Sequence, residues 1–261
     1  MIEIQYLGQN GFRISLNGLI LYFDLYLSNC VFELTGGGER NYPPPVCVND
    51  ITDADFYFIS HEHLDHLDPQ TVKQIAITSS QALFICPQPH ILRLMELGIS
   101  KDRIIPAVAY EKITLKSEYG DIQVIPIPAK HEEYNIIDGF HGTVGYVVKN
   151  DTMQFYHAGD AVADKKLAED LKKCGKMDIM FVPINGHDWL RFQNDIVGNM
   201  NYREALDLCH YVETDMIVPM HYDLFDNNTE NPAYFVDYLY KNYRGQKFKM
   251  FMPGEVMLFN S

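Results

Sequence analysis

The chain has 261 residues, 47% of them hydrophobic, and a formal net charge of −14. This length fits one large domain spanning residues 1–261, and the apolar content excludes a disordered chain. The acidic balance excludes a nucleic-acid groove as the dominant surface, because phosphate backbones recruit Lys and Arg.

In chain order, the N-terminal third reads as β. Glu3–Leu7, Gly11–Leu16 and Leu19–Asp24 are short β-prone runs, and Asn17-Gly18 between the last two is a hairpin signal. Thr35–Pro45, with three glycines and three prolines, is expected as an irregular loop that suits a lid over a pocket. Asp55–Ser60 is an apolar run of strand length leading straight into His61. Asp68-Pro69 predicts a helix N-cap followed by proline at the first helical position.

Alternation then continues. A strand is expected over Ala82–Cys86, a helix over Pro89–Leu97, and strands over Lys112–Lys116 and Ile122–Pro128. Strands Thr143–Lys149 and Thr152–His157 follow, joined at Asn150-Asp151, then helix Lys165–Cys174 and the buried-type strand Ile179–Ile184. Helix Tyr202–Val212, strand Met216–Met220, helix Ala233–Tyr243 and two closing strands complete the reading. This order suits two sheets packed face to face with helices outside.

The five cysteines are scattered, with no CxxC pair, and are expected as reduced thiols. The N-terminus lacks a secretion-signal pattern, and no uncharged apolar run approaches membrane-spanning length. The expectation is a soluble cytoplasmic protein with no membrane partner, either monomeric or a homo-oligomer.

The chemistry concentrates in His61-Glu62-His63-Leu64-Asp65-His66, on the loop after a strand. His61 and His63 alternate and can converge on one ion, while Asp65 and His66 turn toward a second. Imidazole suits Zn, Fe and Mn, and carboxylate shifts preference toward harder ions, so two divalent ions (Mn or Zn, with Fe permitted) are expected. Further ligands are offered just past apolar strands by His131, Asp160 and His221. His90 and His210 fall in helical patterns and read as packing or surface residues. His157 reads as a structural residue at a strand end, and His141, in a flexible glycine-flanked stretch, as a lesser candidate for substrate contact.

These residues, with Leu7-Gly8-Gln9-Asn10-Gly11-Phe12 and Phe23-Asp24-Leu25-Tyr26, resemble the metallo-β-lactamase-fold hydrolases over nearly the whole chain. The stretches Pro183–Gly186, Asn199–Ala205 and Pro219–Asp223 resemble the branch that contains the L-ascorbate-6-phosphate lactonases. The resemblance implies a four-layer αββα sandwich, an α+β architecture. It also implies that His61, His63 and His131 hold a first ion, that Asp65, His66 and His221 hold a second, and that Asp160 bridges them. A hydroxide shared between the ions is the implied nucleophile. Asp65 would orient it and return a proton to the leaving alkoxide, with Tyr222 or His187 as alternative proton donors. Asp24 would support a ligand from behind. One departure is Ala161 after Asp160, where the superfamily more often carries Thr or Ser.

For the substrate, the segment Asn185–Asn199 carries His187, Asp188, Arg191 and the sole tryptophan, Trp189. Asn185, Arg191, Arg203 and Lys130 are candidate contacts to a small anionic, phosphorylated substrate. Against that, Arg191 can simply be solvated, and Arg203 can pair with Asp207 one helical turn on. The leading expectation is a lactonase opening a phosphorylated sugar-acid lactone. A phosphodiesterase or nuclease on the same metal pair is the first alternative. A di-iron redox protein and a non-catalytic metal-binding module are the others.

Overall fold

The computed structural model describes residues 1–260. The chain opens with β1 (Ile2–Gly8), β2 (Gly11–Leu16) and β3 (Leu19–Phe23). Asn17 and Gly18 take positive φ, 50° and 74°, as a type I′ turn requires, so the expected hairpin forms. Then come α1 (Cys30–Thr35), β4 (Phe56–Phe58), α2 (Pro69–Thr78), β5 (Leu83–Pro87), α3 (Ile91–Glu96) and β6 (Ile104–Ala107). The middle of the chain holds β7 (Ile113–Leu115), β8 (Ile122–Pro128), the small hairpin β9 (Ile136–Ile137) and β10 (Phe140–His141), β11 (Val144–Lys149) and β12 (Gln154–His157). Last come α4 (Lys165–Cys174), β13 (Ile179–Pro183), α5 (Trp189–Gln193), α6 (Tyr202–Val212), β14 (Met216–Met220), α7 (Pro232–Asn242), β15 (Lys247–Phe248) and β16 (Val256–Phe259).

Most of the expected elements stand within a few residues, with four differences. The helices α1 and α5, the strand β6 and the β9–β10 hairpin lie where no such element was expected. The helix expected over Pro89–Leu97 starts as a 3-10 turn at Gln88–His90 and is α-helical only from Ile91. Within Thr35–Pro45, Thr35 closes α1 and Gly36 caps it at φ 75°, where a Cβ would be strained. Arg40 anchors the irregular remainder by donating to the carbonyls of Tyr26 and Ser28.

The strands form two seven-stranded sheets, in the orders β16-β1-β2-β3-β4-β5-β6 and β15-β14-β13-β12-β11-β8-β7. In the first, β3 to β6 run parallel; in the second, β12 to β15 do. Aromatic side chains fill the space between the sheets: Phe12 lies 4.6 Å from Phe181 and Phe58 lies 5.1 Å from Tyr146, ring centre to ring centre. Outside the first sheet, Val72 and Ile75 of α2 and Leu94 of α3 pack with Tyr57 and Phe84. Leu167 and Leu171 of α4 and Ala205, Leu206 and Cys209 of α6 belong to the large core that includes the second sheet. The result is the expected αββα sandwich. All five cysteines are free thiols. Among the described residues no helix is long and apolar enough to cross a membrane.

This topology brings strand ends together. β3 delivers Asp24, β4 delivers Ser60 and His61, β8 leads to His131, β12 to Asp160 and β14 to His221. In open α/β sheets the carboxyl ends of parallel strands are where ligands gather, because loops there are free of strand pairing.

Candidate metal centre

Two groups of side chains meet at these strand ends. His61, His63, His131 and Asp160 form one; Asp65, His66 and His221 form the other, and within each group one potential ligand atom per residue lies within 4.8 Å of the rest. Asp160 lies between them. Its carboxylate is 3.5 Å from His131 Nε2, 3.2 Å from His66 Nε2 and 3.3 Å from His221 Nε2.

Two of the rings are held from behind. His66 Nδ1 pairs at 2.9 Å with Asp24 Oδ2, which also accepts from the Ser60 hydroxyl at 2.6 Å. Ser60 Oγ in turn lies 3.0 Å from His61 Nδ1. The opposite nitrogens, Nε2 of both His61 and His66, are buried and, like Nδ1 of His131, make no well-formed hydrogen bond among the described residues, although the Asp160 carboxylate lies 3.2 Å from His66 Nε2. Orphaned buried ring nitrogens are costly unless something else takes their lone pairs. Imidazoles fixed on one side and free on the other, converging with carboxylates, are the donor set for divalent metal. The cluster can therefore hold metal.

The charge balance agrees. Burial would raise the Asp160 carboxyl, but His221 and His66 outweigh it and hold the group well below the usual carboxylate range. Asp65 is likewise lowered against its burial, chiefly by His66 and then His221. Burial drives His61 down, reinforced by His66 and His63, and brings His131 to about 4. Burial also opposes charge on His221, yet Asp160 and Asp65 lift it to about 9. Asp160, Asp65 and Asp24 likewise raise His66 against its burial, so protons on His66 and His221 balance the carboxylates where a divalent cation would displace them.

Three side chains at the centre were assigned no role from the sequence, although Gln9 and Asn10 lie in a stretch that carries the family resemblance. Gln9 Nε2 donates to Asp65 Oδ2 at 2.8 Å and lies 2.9 Å from His221 Nε2; Asn10 Nδ2 donates to Asp160 Oδ1 at 2.8 Å. Ser60 links Asp24 to His61. The turn between β1 and β2 carries Gln9 and Asn10, and its flanking glycines were the available signal. Gln9, Asp24 and His221 all take positive φ, 54°, 41° and 60°. Left-handed backbone at non-glycine residues costs of order 1–3 kcal/mol each and clusters at functional sites. Gly159, at φ 58°, precedes Asp160, and a Cβ there would sit 2.5 Å from Ser60 Cβ. Only glycine lets the Asp160 loop approach the Ser60 loop this closely.

The other candidates lie around the centre rather than in it. Asn185 is fully buried and ties Asn228, a wall of the metal cavity, to Asn199. Arg191 donates to Asp188 Oδ2 and to the Thr229 carbonyl, both at 2.6 Å, which fixes α5. Arg203 lies over the rings of Tyr202 and Tyr238, and Asp207, its expected partner, instead accepts from Tyr238 and Tyr243. Tyr222 is packed into the core, and burial pushes its hydroxyl up to about 12. His187 Nδ1 pairs with the Asn199 carbonyl at 2.9 Å, and its side chain lines a cavity beside the centre along with Lys130. His157 is fully buried with Nε2 on the Asn10 carbonyl at 2.9 Å, a structural role as expected. His90 bonds the Gly142 carbonyl, His210 stacks on Tyr243 and His141 packs edge-on against Tyr134.

Three open cavities meet at the centre. One of about 450 Å³ is lined by His63, Asp65, Asp160 and His221, with Thr35, Gly37 and Gly38 on its wall. One of about 400 Å³ lies against His61, His63 and His131, and one of about 620 Å³ reaches from His131 to α5.

The sequence matches the Beta-lactamase superfamily domain over residues 3–221. The chain belongs to that superfamily. Among relatives of this superfamily member, a UPF0173 metal-dependent hydrolase of Pyrococcus furiosus is 24% identical, and the match covers 98% of each chain. N-acyl-phosphatidylethanolamine-hydrolyzing phospholipase D 1 of Caenorhabditis elegans is 25% identical over 86% of this chain, which spans 64% of that enzyme's length. Among solved structures, Igni18, a metallo hydrolase of the archaeon Ignicoccus hospitalis, superposes with a TM-score of 0.77 at 20% identity, covering 100% of this chain and 99% of that one. The superposition speaks for the fold alone.

Proposed function

We propose that this metal-dependent hydrolase of the beta-lactamase superfamily opens carboxylic esters, lactones foremost, with two divalent ions held by its histidine–aspartate centre. His61, His63 and His131 would hold one ion, Asp65, His66 and His221 the other, with Asp160 between them. Mn and Zn both suit this set of nitrogens and carboxylate oxygens, and Fe is permitted by it. Bound there, the ions supply a nucleophile at neutral pH and polarise the scissile carbonyl.

The chain's own residues do the rest. Gln9 holds the Asp65 carboxylate at 2.8 Å, so one Asp65 oxygen has a fixed direction. Asp65 orients the attacking water and takes its proton as the new C–O bond forms. It then gives that proton to the alkoxide released when the ring C–O bond breaks, leaving a hydroxy acid. Tyr222, packed into the core beside His221, and His187, bonded through Nδ1 to the Asn199 carbonyl, are the alternative donors for this proton.

The observation that carries the ester reading is the lining of the metal cavity: among the described residues there it has no Lys or Arg. A neutral ester group needs no cationic clamp, whereas a phosphate does better with one. A phosphorylated sugar-acid lactone would find one cation nearby, Lys130 in the adjoining cavity, while Arg191 and Arg203 are engaged with protein groups. A second reading, phosphodiester hydrolysis, is favoured by the similarity to the worm phospholipase D.

A panel of γ-lactones, an aryl carboxylic ester and bis(p-nitrophenyl) phosphate, assayed on one metal-loaded preparation, tests the choice. We expect the lactones and carboxylic ester to turn over at least tenfold faster than the phosphodiester. Turnover of the phosphodiester alone would replace this reading with the second.

A further inference from the structure

We infer that the 620 Å³ cavity between His131 and α5 is the subsite for an apolar arm of the substrate, an alkyl or aryl chain extending from the scissile carbonyl. This deepens the ester reading above and rests on it.

The cavity is continuous with the metal centre. His131 lines it, and Ile196 borders both it and the cavity that holds Asp65 and Asp160. Its lining combines the apolar Val162, Trp189, Phe192 and Ile196 with the charged Lys130, Glu132, Glu133 and Asp188, and the apolar group gathers on and around α5. A carbonyl seated beside Asp65 and His131 therefore has an apolar wall on one side.

The helix that forms this wall is unusual in what holds it. On α5, Trp189 is 73% exposed, and Leu190 and Phe192 are each 63% exposed. Large apolar side chains contribute to folding when they are buried, and these are not. Polar bonds secure the helix instead. Asp188 caps it by accepting from the Leu190 and Arg191 amides, and Arg191 ties it to Thr229. The Ile196 amide closes its end by donating to the Arg191 carbonyl. Trp189 and Phe192 stand three residues apart, on one helix face, and both line the cavity. A helix pinned by polar bonds while presenting apolar side chains to a cavity at a reactive centre is built to bury something that arrives later. Among the described residues lining the cavity, Lys130 is the one Lys or Arg, set beside Glu132 and Glu133 where a polar end of that arm would lie.

Two measurements on the metal-loaded full chain test this. In the first, kcat/KM is compared across p-nitrophenyl acetate, butyrate, hexanoate and octanoate. It should climb two- to fourfold per methylene while the chain is being buried, the range set by transfer of a CH₂ from water. The octanoate-to-acetate ratio should collapse at least tenfold in both Trp189→Ala and Phe192→Ser.

The second measurement does not need turnover. Trp189 is the sole tryptophan, so its emission reports on the cavity directly. Titration with octanoate should shift that emission to the blue, acetate at equal concentration should not, and Phe192→Ser should weaken the response. If no ester is hydrolysed, the ester reading fails, and the emission experiment still decides the subsite. A flat chain-length profile with no octanoate-specific shift overturns the inference. A shift caused by phosphatidylcholine vesicles but not by octanoate also overturns it, by assigning α5 to a lipid surface.

Discussion

At the scale of residues, the centre depends on side chains that never face the reacting atoms. Asp24 illustrates this. Its two oxygens take the Ser60 amide and hydroxyl and His66 Nδ1, so one carboxylate sets the ring plane of His66 and, through Ser60, that of His61. Carboxylates behind metal-binding imidazoles are worth roughly 10–100-fold in metal affinity. Asp24→Asn keeps the size and tolerates the φ of 41°, but replaces an anion by an amide. We predict that it loosens metal binding 10–100-fold in chelator competition while leaving the fold intact by circular dichroism. Unchanged affinity would show that Asp24 is only a structural residue.

At the scale of elements, what could be read from the sequence depended on whether local chemistry set the local structure. Asp68-Pro69 opens α2 as expected, with Asp68 accepting from the Gln70 and Thr71 amides. Asn17-Gly18 makes its turn for equally local reasons, and the histidine-bearing strand ends follow from apolar runs. Elements set by their surroundings were hidden. β6 contains Pro106 and exists by pairing along β5. α1 is rich in β-branched and aromatic residues, with no side-chain bond at its N-cap. α5 has no buried residue and therefore no apolar stripe pointing inward. The same distinction separates the site residues. His61–His66 announced themselves by density, whereas Gln9 and Asn10 act through partners far away in sequence, and Ser60 takes its role from Asp24, 36 residues before it.

The helix α4 offers a test at this scale. Asp170 lies beneath Lys166 and Lys173 and accepts from the Tyr110 hydroxyl at 2.7 Å, joining the helix to the loop before β7. Burial would raise its carboxyl, but the hydrogen bonds from Lys173, Lys166 and Tyr110 outweigh it and lower the group to about 2. A depressed carboxyl stabilises the fold fully above its unfolded value near 3.8, and that contribution disappears as pH falls through about 2. With the exposed lysines screened by solvent, it amounts to about 1–2 kcal/mol. Asp170→Asn should therefore be less stable in urea by a constant amount above about pH 5, and the gap should close on acidification toward pH 2. A gap that does not depend on pH would assign the loss to packing.

At the scale of the whole molecule, two half-parallel sheets meet with their strand ends at one rim, and that rim collects every candidate ligand. The arrangement explains how residues as distant as His66 and His221 share a carboxylate, Asp160, lying 3.2 Å from His66 and 3.3 Å from His221. The net charge of −14 adds a long-range field that draws cations in and slows anions, which suits a metal centre and the neutral ester proposed for it. We propose that this rim holds a pair of ions bridged by Asp160. Elemental analysis of the purified chain, after dialysis against metal and removal of the excess, tests it most directly. Two equivalents of divalent metal per chain are expected, falling to one or fewer in Asp160→Ala with its circular dichroism unchanged. One equivalent or less in the unaltered chain, or two retained without Asp160, would contradict it.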